Sequence, residues 1–152
     1  MRQKLYHFTE CGLDNVWLAD GFTLHRTAYG RGVSFDDIEG VHRAIARHLV
    51  EVPGGLDGSQ LRFLRKELDL SQAGLASLLG YDEQTVSRWE SAVSTVPPAA
   101  DRLLRALWRE AQGEGLHLRN FIGSLAGRSG TARRRIVLQR APRRKEGWQL
   151  AA

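Results

Sequence analysis

Cysteine is nearly absent from this chain of 152 residues, and Cys11 stands alone. An intramolecular disulfide is therefore excluded, and a lone thiol suits a reducing cytosol. Long apolar runs are missing too; none approaches the roughly twenty residues needed to cross a bilayer. Residues 1–9 lack the apolar centre of a secretory signal. The sequence thus reads as soluble and cytoplasmic, with no membrane partner. It also lacks the Walker and dinucleotide glycine spacings, since Tyr29-Gly30-Arg31-Gly32 fits neither and reads as a plain turn in a loop. No nucleophile–base pair and no paired acid motif stands out, which argues against an enzyme and against a cofactor. Internal repeats and low-complexity tracts are not found.

What is present describes an ordinary globular chain. At 42% hydrophobic and 26% charged residues, it has enough apolar material to build its own core. The length suits one large domain or two small ones. The net charge of +5 is unevenly spread. Residues 113–152 hold nine basic residues against two acids, a local charge of +7, while the other 112 residues carry 13 basic against 15 acidic, or −2. The basic character belongs to the tail, which either meets phosphates or carries solvated charges.

Along the chain, residues 4–27 are rich in strand formers. Leu5 to Thr9, Val16 to Ala19 and Phe22 to Thr27 read as a small antiparallel meander, with Asp20-Gly21 as the hairpin signal between the last two. A helix follows: Ser34 is the expected cap, Asp36 and Asp37 favour the positive helix end, and Ile38, Val41, Ile45, Leu49 and Val50 recur at helical spacing. Pro53-Gly54-Gly55 ends it. Four more helices are expected beyond this linker. Leu61, Leu64 and Leu68 line the first; Ser71 caps the second, with Leu75, Ala76 and Leu79 inward; Asp82 caps the third, with Val86 and Trp89 inward; Pro97-Pro98 opens the fourth, with Leu103, Leu104, Leu107 and Trp108. Residues 116–126 suggest a short helix, 127–130 a loop, and Ile136-Val137-Leu138 with Gly147-Trp148-Gln149-Leu150 a β-hairpin. The fold class is α+β: an N-terminal strand-rich domain with a helix (1–52), a linker (53–58), an all-α bundle (59–112) and a basic C-terminal segment (113–152).

The informative stretch runs from Leu70 to Glu90, LSQAGLASLLGYDEQTVSRWE. Two short helices that cross steeply need a small residue at their contact, here Ala76. Gly80 permits the left-handed turn between them, and Asp82 caps the next helix at once. Val86 and Trp89 bury one face of that helix, leaving Glu83, Gln84, Ser87 and Arg88 free to enter a major groove.

Residues 59–108 resemble the Cro/cI-type (XRE) helix-turn-helix family. Ser71-Gln72, Leu75-Ala76, Leu79-Gly80, Val86-Ser87-Arg88-Trp89-Glu90 and Pro97 fall at the family's offsets. The resemblance implies a transcription regulator, acting as a repressor on double-stranded DNA, and because a single module of this size makes few base contacts, a homodimer on a two-fold site is expected. It implies a DNA-binding set of Gln72, Glu83, Gln84, Thr85, Ser87 and Arg88. Gln72 would meet a phosphate, Gln84 an adenine and Arg88 a guanine. Ser87 permits close approach. Glu83 accepts from a cytosine amine or simply steadies the helix start. Arg65 and Glu90 match a structural ion pair. Leu104, Trp108 and the tail are the candidate dimer surfaces.

The order of parts is similar to MqsA-type antitoxins, which makes an antitoxin, with a toxin as protein partner, the alternative function. That family's first domain holds zinc on two Cys-x-x-Cys pairs. Here Phe8-Thr9-Glu10-Cys11 keeps one cysteine of the first pair, and Val41 to Ala46 holds none of the second. With His7, His42 and His48 in no tetrahedral spacing, no metal is expected. Elemental analysis of the purified protein is expected to find no stoichiometric zinc, and chelators to leave its melting temperature unchanged; one zinc per chain, lost together with stability, would contradict this.

Overall fold

The computed structural model describes residues 4–114, 117, 134–142 and 147–151. The fold is α+β, as expected. The elements are β1 (Tyr6–His7), β2 (Val16–Leu18), β3 (Phe22–Thr27), β4 (Gly30–Phe35), α1 (Ile38–Glu51), α2 (Gly58–Glu67), α3 (Gln72–Leu79), α4 (Glu83–Glu90), α5 (Pro98–Ala111), β5 (Ile136–Arg140) and β6 (Trp148–Leu150). The helix expected over 116–126 and the loop over 127–130 fall, except for His117, outside the described residues. Two compact units emerge, residues 1–45 with 134–152, and residues 46–133.

The first unit carries a sheet in the order β1-β2-β5-β6. β1 pairs antiparallel with β2, and β5 and β6 form the expected hairpin. The hairpin is not free-standing, because β5 lies parallel to β2, with Val16, Trp17 and Leu18 opposite Ile136, Val137 and Leu138. Period-two alternation then sorts the side chains. Val16, Leu18, Ile136 and Leu138 are buried on one face together with Phe8, Leu13, Val41 and Ile45. Arg140 pairs with Asp37 at 3.1 Å, and Arg135 lies over the Trp17 ring at 4.3 Å, so these tail arginines are engaged with the fold.

Three local expectations are corrected here. Asp20-Gly21 does bend the chain, with Gly21 at φ +73°, but β2 and β3 do not pair. Both edges of β2 are taken, by β1 and β5, so β3 must find another partner. It finds β4, which includes Gly30, Arg31 and Gly32, the residues read as a loop. The strand meander is therefore split between two sheets. Third, Ser34 lies in β4, and the first turn of α1 is capped by Asp37, whose Oδ1 accepts from the Gly40 N–H at 3.0 Å.

In the second unit the C-terminal end of α1 packs with α2–α5 around Leu49, Val50, Leu61, Leu64, Leu75, Val86 and Leu104, all fully buried. Leu103 is instead 48% exposed, one position off the buried stripe of α5. Within this core sits a charge, Arg105, at 0% exposure. Its Nε donates to Asp101 Oδ1 at 2.6 Å, and its terminal nitrogens donate to the carbonyls of Val50 (3.5 Å), Val52 and Gly54. Asp101 Oδ2 accepts from the Leu56 N–H at 2.6 Å. The pair thus satisfies backbone groups of residues 50–56 that helix geometry leaves without partners where α1 ends. An apolar replacement of both side chains would orphan those groups, so the usual equivalence between a buried ion pair and a hydrophobic pair fails here.

Arg105→Ala is expected to lower unfolding stability by about 3–5 kcal/mol, as removing one partner of a buried pair does. Urea denaturation followed by circular dichroism measures it, and a loss below about 1 kcal/mol would show that the linker does not depend on this guanidinium.

Candidate nucleic-acid interface

The α3–turn–α4 segment is built by local chemistry at each junction. Ser71 Oγ accepts from the Gly74 N–H at 2.9 Å and opens α3. Gly80 closes it in the left-handed region (φ 81°, ψ 29°), where a side chain would be strained. Asp82 Oδ1 then accepts both the backbone N–H and the hydroxyl of Thr85, each at 2.8 Å, and opens α4. These bonds from Thr85 hold the Asp82 carboxyl below its ordinary pKa. A depressed folded-state value means that the cap is at full strength above the unfolded-state pKa and is lost as pH falls through the folded one.

Packing fixes which face of α4 looks outward. Val86 is fully buried and Trp89 is 3% exposed, with the Tyr81 ring edge-on to Trp89 at 4.8 Å. Ala76 is buried on α3, whose contact with α4 is close because a methyl group occupies little space. With these anchored, Glu83, Gln84 and Arg88 are exposed, while Thr85 and Ser87 are half-buried. Arg88 is exposed, and its charge acts on the nearby Asp82 carboxyl.

α4 is held at its far end by α2. Arg65 Nε bonds Glu90 Oε1 at 2.7 Å, a second nitrogen reaches Oε2 at 3.3 Å, and a third donates to the Leu70 carbonyl at 2.8 Å. This is the ion pair implied by the family resemblance. Gln72 joins it: its Nε2 donates to Glu90 Oε2. The side chain expected at a phosphate is half-buried and linked to α4 through this bond. Thr85 likewise spends its hydroxyl on the cap.

The backbones of α2 and α4 also meet directly. A Cβ on Gly58 would lie 2.2 Å from the Trp89 carbonyl oxygen and 2.7 Å from that of Glu90. Beside this junction is an open cleft of about 300 Å³ lined by Arg62, Arg65, Gln72, Ser87, Glu90 and Ser91. Arg62 was missed by sequence reasoning. The available signal was its position three residues before Arg65, on the same side of α2.

Leu104 and Trp108, offered as dimer surfaces, are 0% and 2% exposed. They belong to the core of the protomer, because α5 turns its most apolar face inward. The sequence-selected metal candidates have other company. His7 stacks on Trp17 at 4.1 Å and bonds the Asp14 carbonyl, the Cys11 thiol donates to the Phe8 carbonyl, and the His42 ring contacts Phe8. Burial lowers the His48 pKa. Among the described residues no three His, Cys, Asp or Glu side chains converge, and no helix is long and apolar enough to cross a membrane.

The family model of the helix-turn-helix domain matches residues 58–111, the span of α2 to α5. No curated protein and no solved structure matches the chain. Residues 58–111 are a helix-turn-helix DNA-binding domain.

Gly58→Ala is expected to cost about 1–3 kcal/mol, since backbone on both sides of the contact must move. Thermal melting measures it. The contrasting variant Gly55→Ala, at a position with open space around the glycine, is expected to melt within a few degrees of the parent protein.

Proposed function

We propose that this protein is a sequence-specific transcriptional regulator, a cytoplasmic repressor of the Cro/cI (XRE) type without enzymatic activity, and that it acts as a homodimer on a two-fold operator. The observation that carries the proposal is the exposed outer face of α4. Arg88 and Gln84 stand on a helix whose inner face is locked by Val86 and Trp89 and whose end is tied to α2 through Glu90 and Arg65. A rigidly seated helix presenting an exposed arginine and an amide carries the two side chains best suited to bidentate recognition of guanine and adenine. Glu83 beside them suits a cytosine amine.

Phosphate contacts complete the interface. The N-terminal turn of α3, where the Ser71 cap takes the Gly74 N–H, offers the positive end of the helix to a phosphate. Gln72, tied to Glu90, sets the orientation of that turn against α4. Arg62, on the cleft next to Ser87 and Ser91, adds a cation of the kind that meets the DNA backbone. One such module makes few base contacts, so useful affinity calls for two, on half-sites roughly 10 base pairs apart. The partner protomer docks through a surface other than Leu104 and Trp108.

Recovery of bound DNA across the genome identifies the operator, and titration of point-mutated operators then tests the roles. Arg88→Ala is expected to weaken operator binding by about ten- to a hundredfold, equivalent to roughly 1–3 kcal/mol, and to relax preference at one base pair. Gln72→Ala is expected to weaken all operators alike. An Arg88→Ala variant that lost affinity equally on every operator, with no position relaxed, would remove the base-reading role.

A further inference from the structure

The β3–β4 ribbon of the first unit is unlike the sheet beside it. Its base packs inward: Phe22 and Phe35, directly opposite each other, contact Tyr6 at ring separations of 5.2 and 5.8 Å, and Phe35 also meets Phe8 at 5.1 Å. From Thr23 to Arg31 every residue is exposed. On the face that continues from Phe22 and Phe35, the next cross-strand pair is Leu24 and Val33, followed by Arg26 opposite Arg31. Beyond them the turn carries Tyr29, fully exposed. No acid occurs between Asp20 and Asp36, and among the described residues neither arginine has an ion pair.

Two like charges directly opposite on an antiparallel pair oppose folding. The ribbon carries such a pair at its tip, where neutral or oppositely charged residues would serve the fold better. We infer that the tip of the β3–β4 ribbon, Arg26, Arg31 and Tyr29, is a second DNA contact, which grips backbone phosphates independently of sequence. This inference rests on the DNA-binding reading of α4 and extends it to a separate part of the chain. The chemistry favours a phosphate backbone over an acidic protein surface. The two guanidiniums face the same side of a narrow strand pair, where successive phosphates offer charge at a regular spacing, and a phenol and arginines are among the groups that most often meet DNA phosphates. A two-stranded ribbon is also slim enough to lie along a groove. Ser34 and His25, which bond each other at 2.7 Å on the opposite face, stiffen the ribbon without adding charge to its arginine face.

The test measures the salt dependence of binding, by fluorescence anisotropy, for the full chain on the operator duplex and on a random duplex of equal length. Loss of two phosphate contacts is expected to reduce the slope of log affinity against log salt by about 2 in R26A/R31A, on both duplexes, with base preferences unchanged. R26K/R31K, which keeps the charges, is expected to retain most of the slope. The melting temperature of R26A/R31A is expected to be unchanged or raised, because the repulsive pair is gone. A wild-type protein that binds the operator while R26A/R31A keeps the full slope overturns the inference and leaves the α4 reading intact. A lysine variant that loses as much slope as the alanine variant also overturns it, since charge would not be the cause. Failure of the wild-type chain to bind any duplex overturns both readings together. If the substitutions abolish association with a protein partner or a second copy and leave the salt slope untouched, the ribbon is a protein-docking element and not a DNA contact.

Discussion

A guanidinium in a hydrophobic core is costly unless every donor is matched. Arg105 meets that condition with one carboxylate and three carbonyls, and Asp101 completes it by accepting from Leu56. The consequence reaches beyond the pair. The carbonyls belong to the end of α1 and to Val52 and Gly54, and Leu56 directly precedes the Asp57 cap of α2. One side chain on α5 therefore sets the path by which the chain enters α2. The position of α2 in turn decides where Arg65 stands, and Arg65 holds Glu90 at the end of α4.

The DNA-facing domain is consequently stiff in an asymmetric way. Its inner side is tied by Arg105–Asp101, by Arg65–Glu90–Gln72 and by the backbone contact at Gly58. Its outer side, Glu83, Gln84 and Arg88, carries few bonds to the rest of the protein. A preorganised backbone with exposed side-chain tips loses little entropy when those tips are bound, as the proposed reading of bases would require. Gln72 illustrates the difference between residue type and residue role. A glutamine at the start of a helix suggests a phosphate contact, and the structure adds a bond from its amide to Glu90 that ties the start of α3 to the end of α4.

Much of the bundle was legible in the sequence because its signals are local. Ser71, Gly80 and Asp82 act on groups within four residues of themselves, and Val86 with Trp89 is separated by one helical turn. Strands were harder. Gly30 and Gly32 carry no β-signal, and their membership of β4 depends on β3 lying opposite. The Asp20-Gly21 turn was visible, but whether the strands it joins will pair depends on which edges are already occupied. The cap of α1 was misplaced by three residues, since Ser34 and Asp37 are both good caps and strand pairing claimed the first.

The amino-acid sequence by itself determined the α+β class through its strand and helix patterning, and the helix-turn-helix elements and the exposure of Glu83, Gln84 and Arg88 through helical spacing and local caps. The tertiary structure alone decided the rest. β2 and β5 are separated by about 120 positions and meet in parallel, a pairing that depends on the shared burial of Val16, Leu18, Ile136 and Leu138 and that no local pattern announces. Leu103 and Leu104 are identical in type and adjacent, and only packing exposes one and buries the other. Arginine is ordinarily a surface residue; Arg105 is buried because three carbonyls and a carboxylate, brought together from residues 50–54 and 101, converge where its guanidinium lies. Burial and partner choice are properties of the surroundings, and the surroundings exist only once distant parts of the chain have met.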